Sequence, residues 1–340
     1  MKKFKLLLLG TITVLGLVPA RLVAQDDPAV KQFYQAREAQ VSPKLKQILT
    51  TGRKEIADRK LTFNIGNTTA SERDIHTLLG EYKIIAADDA RIKALLAQMA
   101  AEQAAILKNI KNLENVTASS SSYDPRNDNR LPAIRDQQCG DCWAYSSVGA
   151  LEISDIKENH TPPANIDLSE KQMVTCSGAG SCSGGWPYLV YEFLKKDKTN
   201  MMTAAQYPDN GQNGSCPTIK PDTKVELATW GIADEGAGLY KIADERKIKE
   251  AIVKYGSVSA CVNATSLFQH YTGGVYNENP SDFSNPSVNH AIVLVGWNDS
   301  KKAWLLRNSW GTGWGEKGYM WIDYKSSNVG FGTIWCVARK

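Results

Sequence analysis

The chain has 340 residues, a formal charge of +4 at neutral pH and 42% hydrophobic residues. Such a length holds two domains with sizeable cores, and so mild a positive charge argues against a nucleic-acid-binding protein. Seven cysteines, all between Cys139 and Cys336, suit an oxidising compartment: six are available for three bridges and one is left for chemistry.

The N-terminus reads MKKFK, then an apolar run from Leu6 to Ala20, then small residues with a candidate cut after Ala24. This is the pattern of a secretory signal peptide, bacterial in style. The competing reading, a membrane anchor, falls short of the ~20 apolar residues that a spanning helix needs. The expectation is therefore an exported protein, secreted or periplasmic, without stable membrane insertion.

From Gln25 to about Ser122 there is no cysteine, and Ala, Lys, Gln and Glu abound. Helices are expected around Ala29 to Thr50 and from about Asp89 to Leu113, the second carrying Ile92, Leu95, Leu96, Met99, Ile106, Leu107 and Ile110 at helical spacing with Gln103 interrupting the face. Leu61 to Ile65 alternates like a short strand. Asn115 to Pro125 is polar and serine-rich, a flexible linker.

The stretch QQCGDCWAYSS, Gln137 to Ser147, centres on Cys142. Trp143, Ala144, Val148, Leu151, Ile153 and Ile156 follow with the spacing of a buried helix, so Cys142 falls in its first turn. The partial positive charge of a helix N-terminus favours a thiolate, the nucleophilic form. Backbone N–H groups left free there can also face an oxyanion. Further helices are expected at Leu168 to Thr175 and Pro187 to Lys196. Beyond Val258 the runs VSACVNA, AIVLVGW, AWLLRNS and GYMWIDY read as short strands separated by turns, and the glycines of Trp310 to Gly318 suit a backbone needing positive φ.

Three stretches together resemble the papain-like cysteine proteases: QQCGDCWAYSS, VNHAIVLVGW (Val288 to Trp297) and LLRNSWGTGWGEKGYMWI (Leu305 to Ile322). The resemblance runs from Tyr123 to the C-terminus. It implies an α+β fold of two lobes, a helix-rich one at about 131–230 and a β-barrel-like one at about 231–335, with the active-site cleft between them. It also implies a division into a signal peptide (1–24), a mainly helical inhibitory propeptide (25–122) and a peptidase domain (123–340). Propeptides of many members carry a Glu, Arg, Phe, Asn, Ile pattern; Glu55, Arg59 and Phe63 fit it, but Gly66 replaces the Asn, and the match is read as accidental.

By the same resemblance Cys142 is the nucleophile, His290 its partner and general acid, Asn308 the residue that orients the imidazole, and Trp310 the shield over that hydrogen bond. Of the four histidines, only His290 directly precedes an apolar strand. A glutamine supplies the second oxyanion donor in the family; with one residue fewer than usual before Cys139, Gln137 is the first choice and Gln138 the second. Gly184 and Gly185 are expected beside the substrate backbone. Trp186, Pro187, Cys261, Val288 and Ala291, with Cys336, are expected to line an apolar pocket, and Asn289 is a further expected substrate-binding residue. The implied bridges are Cys139 with Cys182 and Cys176 with Cys216. Cys261 with Cys336 remains by elimination, as a bridge or as two free thiols. Asp141, where the family has a small residue, either raises the Cys142 pKa or is solvated at the cleft edge.

The expected activity is peptide-bond hydrolysis by a monomeric endopeptidase made as a zymogen, acting on peptides or proteins, with no cofactor, metal or nucleic-acid partner. Two alternatives stay open: a transpeptidase on the same machinery, and a thiol-disulfide oxidoreductase using Cys139 and Cys142 as a CxxC pair.

Overall fold

A computed structural model describes residues 28–340 except Glu81 and Lys83, and leaves the side chain of Ala86 undescribed. The expected signal peptide lies outside the described residues.

The N-terminal segment opens with helices α1 (Pro28–Glu38) and α2 (Pro43–Asp58), where one helix over Ala29 to Thr50 was expected. Pro43 explains the break: it has no N–H to donate and disfavours helical backbone at Ser42. Ser42 instead caps α2, its Oγ accepting from Leu45 N at 3.2 Å. Strand β1 (Phe63–Ile65) follows, and then α3 (Ala86–Leu107), which starts and ends earlier than its apolar pattern indicates. Gln103, the polar interruption of that pattern, donates from Nε2 to Trp230 O at 2.6 Å.

The remaining chain forms two layers. Short β2 (Ser122–Tyr123) leads to α4 (Cys142–Asn159), buried from Cys142 through Ile156. Helix α5 (Glu170–Cys176), the hairpin β3 (Gly180–Ser181) and β4 (Gly184–Gly185), and α6 (Pro187–Asp197) complete the helical lobe. The second lobe alternates β5 (Glu226–Ile232), α7 (Glu245–Tyr255), β6 (Val258–Val262), α8 (Ser266–Gln269) and β7 (Tyr271–Tyr276). It ends with β8 (His290–Asn298), β9 (Ala303–Arg307), β10 (Tyr319–Asp323) and β11 (Phe331–Arg339).

Apart from the β3–β4 hairpin, the strands form one sheet in the order β1-β7-β10-β9-β8-β6-β11-β5, with β2 pairing β8. Among the described residues the sheet does not close into a barrel. It is antiparallel save for β10 beside β7, and α4 packs on β6, β8 and β11. Both faces of the central strands are covered, which is why β6 and β9 are buried at every position.

The N-terminal segment grips both lobes. Strand β1 extends the sheet at β7, with Phe63 opposite Gly274. Helix α3 lies on the helical lobe through Arg91 to Glu192 and Lys195 to Glu102. The pattern read as accidental is in use: Arg59 pairs with Glu55 at 2.5 Å and donates to Glu278 O, and Phe63 packs 4.5 Å from the Tyr276 ring. No helix among the described residues is long and apolar enough to cross a membrane.

Candidate active site

Cys142 begins α4 and its side chain is fully buried. Its sulfur is reached by the backbone N–H groups of Trp143, in its own helix turn, and of Ala291 on β8. The sheet therefore brings the residue beside His290 to the sulfur, although 148 positions separate them in sequence. His290 Nε2 lies 2.8 Å from Asn308 Oδ1. Since the amide oxygen only accepts, the imidazole carries its proton on Nε2 and leaves Nδ1 with no hydrogen-bond partner. The Trp310 ring, fully buried, lies 4.7 Å from the His290 ring, tilted at 33°.

Gln137 is fully buried. Its Oε1 accepts from Ser309 Oγ at 2.6 Å and from Trp310 Nε1 at 3.1 Å, which turns its NH₂ toward the cleft. Nε2 then donates to Cys139 O at 2.7 Å and Leu78 O at 3.0 Å. Gln138 points elsewhere, exposed and bonded to Asp136 O. Ser309 has no counterpart in the sequence reading; its adjacency to Asn308 was the only available signal.

The N-terminal segment crosses this site. Gly80 N donates to Asn289 O at 2.9 Å, and a Cβ on Gly80 would stand only 3.1 Å from Gly184 Cα, so the two backbones pass in close contact. Tyr82 Oη lies 3.2 Å from Cys142 Sγ. Its ring meets Trp186 edge-on at 4.8 Å, and Trp186 is surrounded by Tyr188, Tyr240 and Phe331 at 5.2–6.2 Å. Sequence reasoning found Trp186 but missed these aromatic neighbours. Phe331 is placed by register alone, opposite Cys261.

Burial governs the electrostatics. It pushes the Cys142 thiol up to about 11 and lowers His290 to about 4, because each charged form loses its water. Both groups are neutral here at pH 7. Asp141, at the N-cap of α4, is buried rather than solvated, and neither carboxylate oxygen has a hydrogen-bond partner. Burial and then the charge of Asp209 push it up to about 8.

Cys139 is bonded to Cys182 and Cys176 to Cys216, with Cα atoms 5.2 and 4.7 Å apart. Cys139 therefore does not pair with Cys142, and the CxxC is no redox pair. Cys261 and Cys336 do not form the expected third bridge; both are buried free thiols. Cys261 faces Phe331 on β11, and Cys336 lies five residues further along that strand, opposite Trp230 of β5. At ~3.3 Å per residue that is about 16 Å, beyond a disulfide's reach.

A family model described as papain family cysteine protease matches residues 119–336. Cathepsin L of Sarcophaga peregrina is 35% identical over 215 residues, 61% of this chain and 60% of its own length. Ananain of Ananas comosus is 31% identical over 214 residues, 61% of this chain and 56% of its own length. The chain thus spans little more than half the length of these relatives. A recombinant stem bromelain precursor shares the fold over 92% of this chain and 99% of its own, at TM-score 0.64 and 20% identity. Procathepsin L 3 of Tenebrio molitor larval midgut shares it over 91% of this chain and 98% of its own, at TM-score 0.61 and 21% identity. With a match over most of its length, carrying the cysteine, histidine and asparagine segments, the chain belongs to the papain family of cysteine proteases.

Proposed function

We propose that this protein is an exported cysteine endopeptidase made as a zymogen, with the N-terminal segment as its inhibitory propeptide. The observation that carries the reading is the path of Leu78 to Tyr82, whose carbonyl at Leu78 occupies the Gln137 amide and whose Tyr82 hydroxyl occupies the Cys142 sulfur. A segment so seated excludes substrate and keeps the thiol protonated. Export is supported by the signal-like sequence before Gln25.

Once the segment leaves, solvent returns to the cleft and the cost of charging Cys142 and His290 falls. The proton moves from thiol to imidazole, giving a thiolate and an imidazolium held in orientation by Asn308 and covered by Trp310. The thiolate attacks the peptide carbonyl. The oxyanion is bound by the Cys142 N–H and the Gln137 amide, whose direction is fixed by Ser309 and Trp310. His290 gives its proton to the leaving amine. Water, deprotonated by His290, then releases the acyl group from sulfur. The aromatic wall of Trp186, Tyr188, Tyr240 and Phe331, where the Tyr82 ring sits, supports a preference for a large apolar or aromatic side chain. Val288 and Ala291 are proposed to line the same pocket, with Gly184, Gly185 and Asn289 along the substrate backbone and Pro187 beside Trp186.

The test is intact mass of the full chain and of Cys142→Ala, each treated with an irreversible thiol-directed peptidyl inhibitor after removal of the segment. One adduct on the parent chain and none on the variant is expected. No adduct on either would reject the assignment.

A further inference from the structure

We infer that Cys261 is a second reactive thiol of the cleft: under peroxide it closes a reversible disulfide with Cys142, which shuts the active site and spares the nucleophile from permanent oxidation. The inference goes beyond the protease reading and rests on it only for the departure of the N-terminal segment.

The packing of α4 on the sheet puts the two sulfurs face to face. Alternate residues of a strand point to opposite faces. Cys261, Ala291 and Val293 pack in one core cluster with Cys142, whereas Ala260, Val262, Ile292 and Leu294 belong to the cluster on the other face. Helix α4 runs along β8 in the same direction: the Ala291 N–H reaches the Cys142 sulfur, Ser146 Oγ donates to Ile292 O at 2.6 Å, and a Cβ on Gly149 would lie 3.6 Å from Val293 Cγ2. Strand β6 is antiparallel to β8, with Ser259 opposite Val293 and Cys261 opposite Ala291. Helix α4 and β6 therefore run in opposite directions, and Ser146 Oγ meets Ser259 Oγ at 2.5 Å. One helix turn back from Ser146, on the same face, stands Cys142; two residues on from Ser259, on the same face, stands Cys261. A helix turn of ~6 Å and a two-residue strand step of ~6.6 Å keep pace, so the cysteines meet as the serines do. Two serine hydroxyls touch only where the backbones come close, and a disulfide needs Cα atoms ~4.4–6.8 Å apart. Burial, and then the neighbouring Cys142 sulfur, push the Cys261 thiol well above its usual range, and Tyr82 feels both sulfurs.

This asymmetry gives each thiol its part. In the full chain Tyr82 covers the Cys142 sulfur and the thiol stays protonated, so no bridge forms. With the segment gone, Cys142 is the thiolate and Cys261 the neutral thiol beside it. Peroxide reacts with the thiolate. The Cys142 sulfur attacks one peroxide oxygen, the S–O bond forms as the O–O bond breaks, and the hydroxide released takes the His290 proton to become water. The Cys261 sulfur then attacks the Cys142 sulfur. The S–S bond forms as the S–O bond breaks, and the leaving hydroxide takes the Cys261 proton, giving a second water. Peroxide gains the two electrons that the two thiols lose, and a small dithiol reverses the bridge. Without Cys261 the sulfenic acid on Cys142 has no thiol to meet and goes on to sulfinic acid, which a dithiol does not reduce.

The experiment takes chain folded at full length, removes the segment with an added protease, treats it with hydrogen peroxide and alkylates free thiols after denaturation without reduction. The expected product carries one label, on Cys336, where the untreated chain carries labels on all three free cysteines, and it yields a Cys142–Cys261 linked peptide. Most of its hydrolysis of an unfolded protein returns with dithiothreitol. Cys261→Ser, compared with its own untreated activity, should recover less than about a tenth and gain oxygen on Cys142. Equal recovery in parent and variant, a link between any other pair, or sulfinic acid on Cys142 of the parent with Cys261 still labelled would each overturn the inference. The linked peptide is read by mass, without the variant and without activity, so the two readings fail separately. Hydrolysis by the untreated chain with no such link overturns this inference and leaves the protease reading standing. The link in a chain that hydrolyses nothing supports the inference and rejects the protease reading.

Discussion

The hydroxyl of Tyr82 lies 3.2 Å from the sulfur of Cys142, sixty positions later in the chain. The contact has two parts that can be separated, the hydrogen bond and the aromatic ring seated against Trp186. Tyr82→Phe keeps the ring and loses a bond worth ~1 kcal/mol, so Cys142 of the full chain should be alkylated about 5-fold faster. Tyr82→Ala loses the ring packed on Trp186 as well, worth ~3 kcal/mol, and the rate should rise on the order of 100-fold or more. Equal rates in both variants would show that the ring does not hold the segment down.

The segment should dock less tightly in acid, and His270 should set the window. His270 is buried, with Nδ1 2.8 Å from Ser71 Oγ of the segment, and burial lowers it from 6.5 to about 4. Burial alone accounts for the shift, with no charged neighbour contributing to it. The undocked state binds the extra proton first, so docking is at full strength above about pH 6.5 and is lost as pH falls toward 4. Between pH 7.5 and 5 this one group should raise the opening equilibrium about 30-fold. Hydrogen exchange of residues 62–80 in full-length Cys142→Ala, corrected for intrinsic rate, reads it. The same shift is expected from His290 in both chains, so the difference made by His270→Gln isolates His270. An unchanged pH ratio in that variant would exclude the role.

Asp141→Asn should stabilise the protein near pH 8. A carboxyl raised from 3.8 to about 8 on folding binds its proton more tightly in the folded state. Its stability contribution is therefore whole below about pH 3.8 and is lost as pH rises to 8. The amide carries no charge to bury, so the variant's Tm should exceed the parent's by several degrees at pH 8 and by much less at pH 5. A gap that does not depend on pH would point to a packing effect.

Gln137→Ala, assayed after the segment is removed, should lower kcat by ~10² to 10³ with little change in KM, because its amide would act on the oxyanion rather than on bound substrate. Ser309→Ala removes one of the two donors that aim this amide and should give a smaller loss of the same kind.

Alkylation of the denatured, unreduced chain should label three cysteines: Cys142, Cys261 and Cys336. One labelled cysteine would mean that Cys261 and Cys336 are bridged after all.

The cysteine, histidine and asparagine segments were legible in the sequence because each is local. A thiol in the first turn of a buried helix, a histidine at the head of an apolar strand and glycines at tight turns declare themselves within about ten residues. Gly311, Gly315 and Gly318 do take positive φ, at 76°, 60° and 93°. Helix ends in the N-terminal segment were less legible, since Pro43 and the Ser42 cap outweigh an apolar pattern that runs past them.

What only tertiary structure decided depends on register and on contacts between distant segments. The spacing of β6 against β11 keeps Cys261 and Cys336 apart, a fact that no count of cysteines contains. Burial of Asp141 follows from what packs over the start of α4, not from its neighbours in sequence. Gln137, and not Gln138, is held by Ser309 and Trp310, which reach it from the far lobe. The seat of Tyr82, finally, exists only because β1 and α3 anchor the segment on opposite lobes and draw the chain between them across the sulfur.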